Sequence, residues 1–236
     1  MPEEALKEMM ISWQSAPELL SKEIETYRGS FSGQIPFRIG KSIEMQTTVF
    51  FYYLFWRASA LMFIGMALYK WGVLSASRSK AFYTRLAVIG LVLGYLIVGF
   101  GVKQNFIHGF KMEYSFFVGS LYNYWGSVLV CLGYISIVML CVRSFEKSLI
   151  INNLKAVGQM AFTNYLMQTI ICTFIFYGHG FGLFARVERP IQIVIVFAVF
   201  IVQMIYSPIW LKYFKYGPFE WLWRSLTYWK FQKMKA

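Results

Sequence analysis

The sequence predicts an all-α fold, a polytopic integral membrane helical bundle of about five transmembrane helices with amphipathic interfacial helices at its ends. Three observations predict it. Of 236 residues, 58% are hydrophobic, 20% aromatic and 14% charged, against roughly 25% charged in a soluble domain. The apolar residues gather into runs of about twenty, and at ~1.5 Å per residue each run covers about 30 Å, the thickness of the hydrocarbon core. The loops between the runs alternate between strongly and weakly basic, which is the charge asymmetry of a multi-span chain.

Residues 1–47 read as an extracytoplasmic amphipathic helical segment. MPEEALKEMMISWQSAPELLSKEIETY carries an apolar stripe at Leu6, Met9, Met10 and Trp13, breaks near Pro17 and is ended by RGSFSG. No continuous apolar stretch forms there, so no cleaved signal peptide is read. The helical start without a leading span is compatible with the later part of a longer protein and with a complete small one.

The bundle is expected over residues 48–210, with spans at about 48–69, 86–102, 117–141, 158–177 and 191–210. Only Arg57 interrupts the first. A central Arg costs about 2.5–3.5 kcal/mol to insert, so it needs a partner, a polar cavity or head groups within reach. Gly90, Gly94 and Gly99 in the second span invite close approach of a neighbouring helix. His108 lies in the aromatic connection KQNFIHGFKMEYSF, and the third span holds Asn123, Tyr124, Trp125, Gly126 and Gly133. The fourth, GQMAFTNYLMQTIICTFIFY, places Gln159, Thr163, Asn164 and Gln168 on one side, a side that belongs against other helices rather than lipid. That makes it the centre of the bundle. Equal depth in oppositely running helices predicts that Asn164 or Gln168 neutralises Arg57 by hydrogen bonding. The fifth span starts after Pro190, and Pro208 is expected to bend or finish it. Residues 211–236 form an interfacial aromatic-basic tail, in which Glu220 and Arg224 stand four apart and can pair, on a belt at the membrane surface or folded back under the bundle.

Loop charges orient the chain. Residues 1–47 carry seven Glu against five Lys and Arg, whereas residues 70–85 hold Lys70, Arg78, Lys80 and Arg85 with no acid, and the tail after Trp210 holds six cations against Glu220. The N-terminal segment is therefore expected outside and the tail in the cytoplasm. The net charge of +12 belongs to these loops and to membrane lipids as partners, and no nucleic acid is expected. Cys131, Cys141 and Cys172 have no metal-site spacing, and no triad, phosphate loop or metal motif occurs, so neither cofactor nor metal is predicted.

LMFIGMALYKWGVL, GQMAFTNYLMQTIICTFIFYGHGFGLF and YSPIWLKYFKYGPFEWLWRSLTY resemble the bacterial YeiB-like membrane proteins, whose C-terminal region is a domain of unknown function, number 418. The likeness runs from about Glu23 almost to the end and covers the later part of that family, whose members have additional N-terminal spans. It implies a multi-pass inner-membrane protein without assigning an activity. Two alternatives accompany it: a transporter-like protein for a polar or anionic solute, and an acyltransferase-like enzyme acting on a sugar or cell-surface substrate. A second copy of the chain, or the N-terminal spans of a longer protein, would complete either. The candidate substrate-binding residues are Arg57, Asn164, Gln168, His179, Glu220 and Arg224.

Overall fold

The computed structural model describes Trp13 and residues 17–235. Among these the chain is helical: α1 (Pro17–Arg28), α2 (Phe31–Glu44), α3 (Phe55–Lys70), α4 (Lys80–Ile107), α5 (Ser120–Ser144), α6 (Leu149–Gln159), α7 (Ala161–Phe176), α8 (Arg189–Tyr213) and α9 (Pro218–Thr227). A π-helical stretch, Met45–Leu54, joins α2 to α3, and a turn at Met112–Tyr114 followed by π-helical Ser115–Gly119 leads into α5. Four helical stretches are long and apolar enough to cross a membrane: Phe31–Lys70, Lys80–Ile107, Met112–Ser144 and Arg189–Tyr213.

The expected fourth span departs from prediction. The helix breaks at Met160 (φ −108, ψ 30), so that Gly158 and Gln159 end α6 and the apolar helix that follows, α7, has only 16 residues. RGSFSG ends the helix α1 at Arg28, as expected, but not the helical segment as a whole. Ser30 caps a new one by accepting the Gly33 N–H, and α2 follows. Pro208 lies within α8, which continues to Tyr213. The expected stripe at Leu6, Met9 and Met10 lies outside the described residues, while Trp13 donates its indole N–H to the Phe110 carbonyl at 3.0 Å.

One compact unit comprises residues 49–146 with Trp13. Its frame is the antiparallel pair α4 and α5, brought together by glycine. A Cβ on Gly94 would stand 2.6 Å from Val130 Cγ2, 2.9 Å from the Val130 nitrogen and 3.0 Å from the Gly126 carbonyl oxygen, so the backbones meet directly. Gly90 makes a similar approach, whereas Gly99, expected to do the same, faces open space. The turn between α3 and α4 is tied down by Tyr83, whose fully buried hydroxyl donates to the Val73 carbonyl at 2.8 Å. Arg143 of α5 donates to the Ala76 and Arg78 carbonyls of the same turn.

The second unit comprises residues 17–48 and 147–235. Here α1 and α2 clasp the loop after α7. The Gly178 N–H donates to the Tyr27 carbonyl at 2.9 Å, Arg28 Nε donates to the Phe184 carbonyl at 2.9 Å, and the buried Gln34 amide donates to the Tyr27 and Gly29 carbonyls. Helices α6 to α9 complete this unit around a core that is largely polar: Thr163, Asn164, Gln203 and Ser207 are all buried.

Candidate functional site

Within the second unit, the break at Met160 leaves the first-turn N–H groups of α7 without intrahelical acceptors. The tail supplies one. Glu220, in the first turn of α9, accepts the Thr163 N–H at 2.9 Å and the Thr163 hydroxyl at 2.5 Å, and the same hydroxyl accepts the Phe219 N–H at 3.1 Å. Each helix start thus caps the other, as a capping box does within one helix. A single carboxylate faces two positive helix ends. Gly217 is required at the junction, since a Cβ there would lie 2.2 Å from Glu220 Oε2 and 2.6 Å from Thr163 Oγ1.

From Thr163 the polar core runs along α7 and α8. The Asn164 amide nitrogen donates to the Val157 carbonyl at 3.0 Å and to Ser207 Oγ at 3.2 Å, while its oxygen accepts from the Tyr206 hydroxyl. Gln203 donates to the Asn164 carbonyl at 3.0 Å and accepts from Gln168 at 2.8 Å. Every heavy polar atom of the Asn164 side chain is therefore committed, and this network is a packed helix contact. Glu220 does not pair with Arg224: its oxygens are spent on Thr163, and the Arg224 guanidinium lies over the Tyr216 ring at 4.5 Å. Phe162, Glu220, Trp223 and Arg224 line a cleft of about 390 Å³.

His179 meets two aromatic edges, Phe31 at 5.4 Å and Tyr177 at 5.9 Å between ring centroids. Beside it, the Tyr27 phenol is pushed above its ordinary range by burial, then by Tyr177 and Glu23, so it stays a neutral group next to Arg38.

Arg57 belongs to the other unit, and its partners are not the predicted ones. Its Nη2 donates to Ser127 Oγ at 2.8 Å, and its guanidinium lies 4.4 Å from the centre of the Tyr124 ring. Asn164 and Gln168, the predicted hydrogen-bond partners of Arg57, bond instead to Val157 of α6 and to Gln203, Tyr206 and Ser207 of α8, which is the physical reason the prediction fails. Among the described residues no carboxylate pairs with Arg57, and the ion pair found is Lys41 with Glu44. Half-buried and holding five N–H donors, Arg57 spends one on Ser127 and its charge on an aromatic face. His108, at the end of α4, stacks on Tyr114 at 3.6 Å and engages the Gln104 carbonyl through Nδ1 at 2.8 Å, which leaves Nε2 without a protein partner among the described residues.

Thr163, Gln203, Tyr206 and Ser207 lie outside the candidate residues that the sequence offers, as do Ser127 and Tyr124. One signal was available for the α8 trio: Gln203, Tyr206 and Ser207 recur at three and four residues in an otherwise apolar span.

Comparison with known proteins places this architecture. No solved structure matches the chain. It is similar to "Uncharacterized protein YxaH" of Bacillus subtilis (strain 168), 44% identical over 107 residues, which are 45% of this chain and 27% of the relative. "Uncharacterized protein YeiB" of Escherichia coli (strain K12) is 31% identical over 172 residues, 73% of this chain and 44% of the relative. "Uncharacterized 39.9 kDa protein in amylase 3'region" of Bacillus acidopullulyticus is 31% identical over 150 residues, 61% of this chain and 42% of the relative. The chain thus spans less than half the length of each of these relatives. Residues 68–230 match the family described as "Protein of unknown function (DUF418)", a stretch that holds the α4 and α5 pair, the polar core and the Glu220 cap, and the chain belongs to that family.

Proposed function

We propose that this chain is a multi-pass protein of the bacterial inner membrane, with residues 17–47 outside and the tail after Trp210 in the cytoplasm, that binds a polar or anionic substrate at Arg57. The membrane reading is supported by the outward face of its long helices, where Met62, Phe63 and Val194 are 70%, 67% and 65% exposed, an arrangement a water-soluble surface does not sustain. The observation that carries the substrate reading is a guanidinium that no carboxylate pairs with among the described residues. A Ser hydroxyl and a Tyr ring, at about 0.6–2 kcal/mol each in a membrane, offset the ~2.5–3.5 kcal/mol insertion cost of one Arg only in the upper part of that range, and Ser127 engages one of its five N–H donors. A bound anion supplies the remainder, and Arg is suited to phosphate or carboxylate through paired donors.

This favours the transporter-like reading, in which Arg57 docks a polar or anionic solute. A specific observation supports acyl transfer as the second reading: with Nδ1 held by the Gln104 carbonyl, His108 presents Nε2 as a base at the end of α4.

The test is thermal unfolding of the purified chain in detergent with inorganic phosphate, sn-glycerol 3-phosphate and glutamate. At least one should raise the midpoint, Arg57→Lys should retain part of the shift, and Arg57→Leu should fold with equal yield and lose it. An identical shift in Arg57→Leu would remove Arg57 as the docking cation.

A further inference from the structure

The unit containing residues 49–146 also carries a groove that Arg57 does not fill. Ser127, Cys131, Tyr134, Val138 and Met139 follow one face of α5 and, with Leu74 of the turn between α3 and α4, line a shallow apolar groove of about 440 Å³. From Ser127 to Met139 is twelve residues, about 18 Å of helix at ~1.5 Å per residue. One leaflet contributes about 15 Å of a ~30 Å hydrocarbon core, so the groove has the length of a single acyl chain in one leaflet.

The end closed by Leu74 is strongly cationic. Arg143 stands one turn beyond Met139, with Glu146 three residues further on, while Arg78 and Lys80 lie in and just after the turn and Lys70 and Arg85 flank them, with no acidic residue between Glu44 and Glu113. Arg78, Lys80, Arg85 and Arg143 are exposed. Arg78 spends Nε on the Trp71 carbonyl at 2.7 Å, and Arg143 spends Nη1 on the Ala76 and Arg78 carbonyls. These bonds fix the two guanidinium groups on an ordered turn and leave their other donors uncommitted among the described residues. Tyr83, bonded to the same turn, holds it on α4.

We infer that this groove binds one anionic phospholipid of the surrounding leaflet, its acyl chain along α5 and its head-group phosphate at the cations around Leu74. The inference rests on the membrane reading above but not on Arg57. Charge complementarity selects the occupant. A neutral helix packed on α5 would cover the apolar face and leave the cations of the turn uncompensated, whereas an anionic lipid satisfies both ends at once.

The experiment is native mass spectrometry of the full 236-residue chain released from nanodiscs of equal parts phosphatidylglycerol and phosphatidylcholine. The wild type should retain one phosphatidylglycerol in preference to phosphatidylcholine. Lys80→Gln and Arg85→Gln, which leave the turn's own hydrogen bonds intact, should each reduce that preference roughly fivefold. Cys131→Trp and Val138→Trp, at positions on the groove, should abolish retention of either lipid while the helical circular dichroism is unchanged. Equal retention of the two lipids by the wild type, or wild-type retention by both tryptophan variants, overturns the inference. So does a wild-type chain that carries a second copy of itself and loses it on Cys131→Trp, because the groove would then be a protein interface. Carbonate washing of the source membranes is run beside it: release of the chain overturns the membrane reading itself, whereas failure of lipid selectivity in a chain that stays in the pellet overturns the groove alone.

Discussion

At the scale of single residues, Glu220 and Thr163 govern more than their contact area. Glu220 accepts two hydrogen bonds from Thr163, and the Thr163 hydroxyl passes the connection to the Phe219 N–H. Replacing Glu220 by Gln keeps one acceptor but removes the charge that faces two helix starts, a loss of about 1 kcal/mol for a cap of this kind. Thr163→Val leaves the Phe219 N–H and one carboxylate oxygen without a partner in a part-buried place, a cost of about 1–3 kcal/mol. Because the two substitutions break one network, the double variant should be less destabilised than the sum, with a coupling of about 0.5–3 kcal/mol. Thermal unfolding of the four proteins in one detergent measures this, and strict additivity would show that Glu220 and Thr163 act independently. Glu220 could be singled out from the G-P-x-E-W pattern of the tail, yet its partner could not. Nothing local to Thr163 reports a residue 57 positions away, and Arg224, four residues along the same helix, is the neighbour that local spacing favours.

At the scale of elements, the long helices were legible and their interruptions were not. Runs of apolar residues fixed the spans near residues 86–102, 117–141 and 191–210, each of which is the interior of a longer helix, because hydrophobic length is a property of composition. The break at Met160 has no Gly or Pro at the break residue to announce it; Gly158 lies two residues upstream, still inside α6. It arises where Met160 shares its N–H between the Ala156 and Val157 carbonyls and α7 takes its first-turn acceptor from the tail. The same limit applies to glycine. Gly94 and Gly99 look alike in sequence, but only Gly94 faces the α5 backbone. Gly94→Ala should therefore destabilise the α4 and α5 pair by about 1–3 kcal/mol, the cost of forcing a methyl group into a closed seam. Gly99→Ala should be neutral or stabilising by up to about 1 kcal/mol through helix propensity. Comparing the two unfolding midpoints checks the packing directly, and equal effects would mean that the seam is not where the structure puts it.

At the scale of the whole molecule, the question that α7 poses is whether it crosses. Its 16 residues measure about 24 Å at ~1.5 Å per residue, some 6 Å less than a typical hydrocarbon core of ~30 Å. Four crossings would put residues 17–47 and the tail on the same side, and five would put them on opposite sides. Charge favours five. Residues 178–190 carry Arg186 and Arg189 against Glu188, whereas residues 143–156 hold Arg143, Lys147 and Lys155 against Glu146, and the tail holds six cations against Glu220. A same-side arrangement would place residues 1–47, which carry seven Glu against five Lys and Arg, beside the most basic tail, against the rule that basic loops stay inside. A span short by a few ångströms is accommodated by local thinning of the bilayer at fractions of a kcal/mol per ångström, about the energy of one weak contact for each. Lodging an apolar helix with Phe162, Tyr165, Ile170 and Phe174 more than a third exposed in water would cost far more, at about 25 cal/mol per Å² of apolar surface. Single cysteines introduced at Ser30 and Glu188, with Cys131, Cys141 and Cys172 replaced by Ser, should react with a membrane-impermeant maleimide in intact cells. Those at Ser79 and Lys230 should react only after permeabilisation. Labelling of Lys230 together with Ser30 in intact cells would show that α7 returns to the side it entered from, and that the Glu220 cap is formed on the outer face.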